Sequence, residues 1–181
     1  MLKNEQKFLR PAKTTAEKMI KVDHTGENGA VNIYRAQRLV SHIRARHLLS
    51  QLAEFQSHEE EHREIFKERL NSIGVRKCMS YHLSGLGGFV LGFVTGLIGP
   101  SAVAATTYAV EDVVLEHLRH QMPYLEKEAP ESYIAVRKIY DDEMAHHETA
   151  AVQMQQDKFL TKPLIGIVKL CTEAVIRFGM R

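Results

Sequence analysis

Residues 57–65, SHEEEHREI, hold two incompatible pieces of metal chemistry. His58-Glu59-Glu60-Glu61-His62 fits H-E-x-x-H, in which both histidines bind zinc and the glutamate activates water. The same residues contain Glu59-x-x-His62, the i, i+3 pair that two-metal carboxylate centres project into a four-helix bundle. The first reading makes His58 a ligand and Glu59 a base. The second makes Glu59 a ligand and His58 a bystander.

A lone E-x-x-H is weak, because with 10 histidines in 181 residues about one such pair arises by chance. Two occur, Glu59-x-x-His62 and Glu143-x-x-His146, and each has a glutamate 32 residues upstream, Glu27 and Glu111. All three residue types therefore recur at a constant offset of 84, which reads as an internal duplication of a helical hairpin. Chance placement of both upstream glutamates is on the order of one in a hundred. Steps of three and four residues set Glu59 and His62 on one face with Leu52, Phe55 and Phe66. The same spacing joins Glu143 and His146 to Val136, Ile139 and Ala150.

Four carboxylates and two imidazoles on apolar seams, with no Lys or Arg beside them, are costly to bury unless metal takes up the charge. Carboxylate oxygens with one imidazole per metal suit iron or manganese better than a closed, thiolate-rich zinc site. The duplication also weighs against zinc. The position equivalent to His58 is Asp142, so the second copy keeps E-x-x-H and loses H-E-x-x-H. His58 falls one residue off the seam. Asp142 reads either as orienting a ligand histidine or as a solvated carboxylate. His24 and His117 are candidates for lining the site, and His147 reads as solvent-facing.

The elements needed to position these residues are helices. Four are expected: about 16–50 with a cap at Thr14 or Thr15, 51–72 ending at Gly74, 100–127 opened by Pro100, and 130–157 closed by Thr161-Lys162-Pro163. A short amphipathic helix over about 163–178 follows. The organisation is an N-terminal extension, 1–15, and one domain, 16–181, with the hairpin repeat at about 16–72 and 100–157. Leu83 to Val110 carries no charge, and its first half, LSGLGGFVLGFVTGLIG, is rich in glycine. Gly99-Pro100 leaves roughly 16 residues before the break, short of the about 20 needed to span a bilayer. Residues 83–98 thus read as a segment lying in one leaflet or over a pocket, with a buried core helix as the alternative. The glycines weaken such a helix unless packing holds it.

Composition excludes other classes. Net charge is +2 with acidic and basic residues interleaved, so no nucleic-acid partner is expected. Two distant cysteines, Cys78 and Cys171, suit a reducing compartment. The start, MLKNEQKFLR, has neither a secretory apolar run nor a transit-peptide composition, which suggests a bacterial or processed organelle protein.

The segments VDHTGENGAVNIYRAQ, EEEHREIF, YAVEDVVLEH and DDEMAHHET, in order along the chain from about Lys18, resemble the demethoxyubiquinone hydroxylases of ubiquinone biosynthesis. The resemblance implies an all-α, ferritin-like four-helix bundle with an extra apolar helix between helices two and three and a short amphipathic C-terminal helix. It implies two iron ions held by Glu27, Glu59, His62, Glu111, Glu143 and His146, with Glu59 and Glu143 bridging. The implied reaction hydroxylates the benzoquinol ring of a polyprenylated precursor, with O₂ as co-substrate and NADH-derived electrons, direct or indirect. No glycine fingerprint for a dinucleotide is present. The resemblance further implies peripheral attachment to a membrane surface through 83–98 and the tail. The membrane would be the cytoplasmic face of a bacterial inner membrane or the matrix face of the mitochondrial one. A homo-oligomer or partner proteins of ubiquinone biosynthesis fit the same picture. The competing functions are a ferritin-like iron-handling or peroxidase protein and an H-E-x-x-H zinc peptidase.

Overall fold

The computed structural model describes residues 9–154 and 158–180, all of it helix, turn and loop apart from one bridge between Arg10 and Val75. The expected end of the fourth helix near Asp157 lies outside the described residues, as do residues 1–8. Six α-helices follow one another: α1 Thr15–Arg44, α2 Leu49–Ser72, α3 Tyr81–Ile98, α4 Pro100–Glu128, α5 Pro130–Met154 and α6 Lys158–Gly179. Four of them, α1, α2, α4 and α5, form a ferritin-like bundle, and α3 and α6 lie on its outside. Thr14 caps α1 in a capping box with Glu17, which satisfies donors that the first helical turn leaves open.

Two boundaries differ from the sequence expectation. The first helix stops at Arg44, and a 3₁₀ turn, Arg46–Leu48, leads into α2, where a helix to Ser50 was expected. Ala45 leaves the helix at φ −154°, ψ 60°, and drops with Leu48 into a core cluster containing Tyr34, Leu52, Phe55 and Val103. Burial of these apolar side chains breaks the helix where no Gly or Pro announces it. The second difference is α6, which opens at Lys158, so Pro163 lies inside a helix it was expected to open. The proline removes one backbone donor close to the start of that helix.

The duplication extends into the loops and the accessory helices. Ala129, 84 residues after Ala45, leaves α4 at φ −154°, ψ 67°, so both hairpins turn on the same backbone geometry. Each hairpin is also followed by one accessory helix. α3 runs parallel to α1 and packs along it through Gly85, Gly88, Gly92 and Gly96. α6 packs on α4, with Val168 against Ala109 and Val110, and Lys169 bonded to Asp112. The glycines of α3 therefore serve close approach. A Cβ at Gly88 would sit 2.2 Å from the Gly29 carbonyl oxygen, and one at Gly92 2.2 Å from that of Ile33.

Those contacts make the two glycine classes of α3 separable. Gly92→Ala must displace α3 from α1 and should lower stability by about 1–3 kcal/mol, the usual cost of overpacking. Gly87 has no neighbour within 4 Å of its would-be Cβ. Gly87→Ala should therefore raise stability by roughly 0.5–1 kcal/mol through helix propensity alone. Denaturation of the two variants beside the parent checks the contrast in sign.

Candidate metal centre

The four bundle helices each turn part of one polar layer inward. α1 supplies Glu27, α2 Glu59 and His62, α4 Glu111, and α5 Glu143 and His146. None of the six is more than 5% exposed. Apolar packing closes the layer on both sides: Tyr34, Leu52 and Phe55 toward one end, Phe66, Leu118, Val136 and Ile139 toward the other. These shells hold the helix spacing and keep water away from the polar groups.

The six side chains divide into two overlapping groups. Glu27 and His62 share Glu59 and Glu143 with Glu111 and His146, and within each group the candidate ligand atoms lie within 4.8 Å of one another. His62 Nδ1 is 3.0 Å from Glu143 Oε1 and 3.9 Å from Glu59 Oε2. His146 Nδ1 is 3.2 Å from Glu59 Oε1 and 3.8 Å from Glu143 Oε2. Each imidazole thus faces both shared carboxylates, the disposition expected of bridging ligands. The Tyr34 hydroxyl donates to Glu111 Oε1 at 2.7 Å.

The outer nitrogens of the two histidines are held across the repeat. Asp142 of α5 meets His62 Nε2 at 3.1 Å, and His58 of α2 meets His146 Nε2 with its Nδ1 at 3.0 Å. The His58 and His146 ring planes are 8° apart with centroids at 5.3 Å, which makes this an edge-on contact. His58 is therefore not a bystander, as its place off the seam suggested. It occupies the role that Asp142 plays in the other copy. The offset of 84 already pairs His58 with Asp142, and Tyr34 stands two turns beyond Glu27 on the same face. Both signals are in the sequence, but only the crossing of α2 and α5 shows what they touch.

The other histidines lie apart from the layer. His24 is buried under Tyr81, ring centroids 4.8 Å apart, and burial and nearby basic side chains push it down to about 4. His117 stands 3.3 Å from Asp23, whose hydrogen bond and charge outweigh burial and raise it. His147, expected to face solvent, is stacked on Tyr108 at 4.5 Å and lies 3.4 Å from Asp112.

Electrostatics says what the layer lacks. Among the described residues no lysine or arginine pairs with the six side chains. Burial, followed by the charge of neighbouring carboxylates, pushes Glu27, Glu111 and Glu143 well above the ordinary carboxylate range. Burial acts on Glu59 in the same direction but is outweighed by His146 and His62, which hold it low. Glu59 Oε1, Glu143 Oε2 and His146 Nδ1 are buried without a well-formed hydrogen bond, although His146 Nδ1 lies 3.2 Å from Glu59 Oε1 and 3.8 Å from Glu143 Oε2. Buried polar atoms are almost always partnered. Two divalent cations would partner these atoms and offset four carboxylate charges, so the residues fit a two-metal centre.

The family description "Ubiquinone biosynthesis protein COQ7" matches residues 14–179, from the cap of α1 to the end of α6. The chain belongs to this family. A Dictyostelium discoideum relative, NADPH-dependent 3-demethoxyubiquinone 3-hydroxylase, mitochondrial, is 31% identical over 91% of this chain and 76% of its own length. The Homo sapiens protein of the same description is 30% identical over 93% of this chain and 77% of its own. A Delftia acidovorans 3-demethoxyubiquinol 3-hydroxylase is 30% identical over 75% of this chain and 67% of its own. The relatives' names describe an oxidoreductase activity, and two of them specify NADPH where NADH-derived electrons were expected.

The raised carboxylates set a pH dependence. A carboxylic acid whose folded pKa exceeds its unfolded value lets the folded state bind more protons, so its contribution to stability falls as pH rises. For Glu27, Glu111 and Glu143 the loss begins near the ordinary value of 4.5 and continues up to the raised one. The metal-free protein should therefore melt at a lower temperature at about pH 8 than at about pH 5.5, and saturating divalent metal should remove most of that slope. Calorimetry with and without chelator measures it.

Proposed function

We propose that this chain is a membrane-associated demethoxyubiquinone hydroxylase with a di-iron centre held by Glu27, Glu59, His62, Glu111, Glu143 and His146. The observation that carries the reading is the convergence of these six side chains, with orphaned ligand atoms, in a member of a ubiquinone-biosynthesis family. When bound, a pair of ferrous ions would supply the oxygen activation by which one atom of O₂ enters a ring C–H bond and the other leaves as water. The two electrons that this requires per turnover, taken up with two protons, would come from a reduced nicotinamide, directly or through a carrier, and would return the irons to the ferrous state.

The chain's own residues set the conditions for that chemistry. Glu59 and Glu143 face both metal positions, while Glu27 with His62 and Glu111 with His146 serve one position each. Tyr34 fixes the Glu111 carboxylate by donating to it. Phe55, its ring 4.2 Å from that of His146, helps keep water out.

A polyprenylated substrate remains in the bilayer, so the protein must meet it there. α3 is long and apolar enough to cross a membrane, yet only 28% of it is buried against the protein. Leu83, Leu86, Val90, Phe93, Val94 and Leu97 are exposed on one face along its length, opposite the glycines that seat it on α1. Such a face suits a helix lying partway into one leaflet, with Ile167, Leu170 and Phe178 of α6 adding to the surface. The surface would be the cytoplasmic face of a bacterial inner membrane or the matrix face of a mitochondrial one.

Two measurements test this. Iron-loaded protein with O₂, reductant and a demethoxyubiquinol should add one oxygen to the ring, and His146→Ala should lose at least about 100-fold in turnover together with bound iron. Turnover that survives complete iron removal would sink the reading. Separately, Leu86→Lys with Phe93→Lys should release the protein from vesicles while iron content stays near normal, since a charge in the acyl region costs several kcal/mol, about 2.5 or more at full depth.

A further inference from the structure

The two halves of the centre are built from equivalent positions but are not chemically equal. At the half containing Glu27 and His62, the outer nitrogen of the histidine meets the Asp142 carboxylate at 3.1 Å. At the half containing Glu111 and His146, the equivalent contact, at 3.0 Å, is made by the imidazole of His58 in place of a carboxylate. A histidine that binds metal through Nδ1 carries its proton on Nε2 and donates it outward. A carboxylate accepting that proton makes the imidazole a stronger donor to metal, and such partners are typically worth 10–100-fold in affinity. An imidazole nitrogen accepting it orients the ring equally well but, bringing no negative charge, enriches it less. Tyr34 widens the difference, because its hydroxyl draws charge from Glu111, whereas the residue 84 positions on in the second copy, Leu118, has no hydroxyl to offer.

We infer that the centre loads its metals in order: the first divalent cation enters the Glu27–His62 half, and His58 is the positioning residue that makes the Glu111–His146 half the weaker one. The inference rests on the two-metal reading of the site. It assigns a role to the first residue of the H-E-x-x-H sequence that neither the zinc nor the simple di-iron reading provides. Because Asp142 reaches its histidine from the equivalent backbone position, an aspartate at 58 is expected to reach His146 in the same way.

The test is anaerobic titration of metal-free protein with Fe(II), and with Co(II) read by its ligand-field absorption, against a competing chelator. The wild-type protein should bind in two steps separated by about 10-fold or more. His58→Asp should tighten the second step toward the first. His58→Asn, which still accepts a hydrogen bond without charge, should resemble wild type, and His58→Leu should weaken the second step alone. Asp142→Asn should weaken the first step. A purely structural role for His58 would not order Leu, Asn and Asp by their power to accept a proton. Two equal steps in wild type, or an unchanged second step in both His58→Asp and His58→Leu, overturn the inference while leaving a two-metal centre intact. Failure of the wild-type protein to bind two metals overturns the centre itself, and the inference with it.

Discussion

Four carboxylates buried in one layer, with only two imidazoles for company, set the terms for the rest of the molecule. Ionised and unmatched, they would repel one another in a medium too apolar to screen them. Protonated, they are tolerable but leave Glu59, Glu143 and His146 with atoms that crowd one another without a well-formed hydrogen bond. The fold meets this by clamping the layer between two apolar clusters, so that the energy of packing Phe55, Leu52 and Tyr34 on one side and Phe66, Ile139 and Val136 on the other holds the polar groups together. In the proposed centre, charge balance is left to metal. A site with strong metal affinity has to be unsatisfied without it, and the stability of the apolar shells is what permits that.

The duplication explains why so much of this was legible and where legibility ended. Glu27, Glu59 and His62 could be paired with Glu111, Glu143 and His146 because helical ligands depend on spacing, and spacing survives in a sequence. The turn between α4 and α5 was readable because Pro130 marks it. Its twin at Ala45 was missed, although the backbone angles nearly coincide, because the turn is driven by burial of Ala45 and Leu48 and has no local signal of its own. The α3 glycines were visible, but their use was not. A helix-weakening residue and a helix-packing residue are the same letter, and only the approach of Gly29 and Ile33 separates them. The contact between His58 and His146 was beyond reach for a related reason. It runs between copies, and a repeat in sequence does not say which copy reaches into which.

That crossing follows from the antiparallel packing of α2 and α5. Phe55 meets the ring of His146, while Gln51 pairs with Gln153 and Glu61 with Lys138, so the two helices pass with their ligand pairs side by side in opposite directions. The residue just before each ligand glutamate then points at the far side of the partner's histidine. A duplicated hairpin folded in this way supports its two inward-facing histidines reciprocally, so a substitution at position 58 or 142 bears on the histidine of the other copy. In the proposed two-metal centre, divergence between copies would make the halves unequal without changing any of the six residues.

The accessory helices obey the same symmetry. Each is laid on a helix that contributes a single glutamate: α3 on α1, α6 on α4. On α1, Glu27 faces the metal layer while Gly29 and Ile33, on the opposite side, receive α3. The exposed apolar face of α3 is consequently two helices out from the centre, with α3 and α1 stacked between them, on the order of 20 Å. Close packing through glycine keeps α3 as near to α1 as two helices can come; bulkier residues at 88 and 92 would push the apolar face of α3 further from the polar layer.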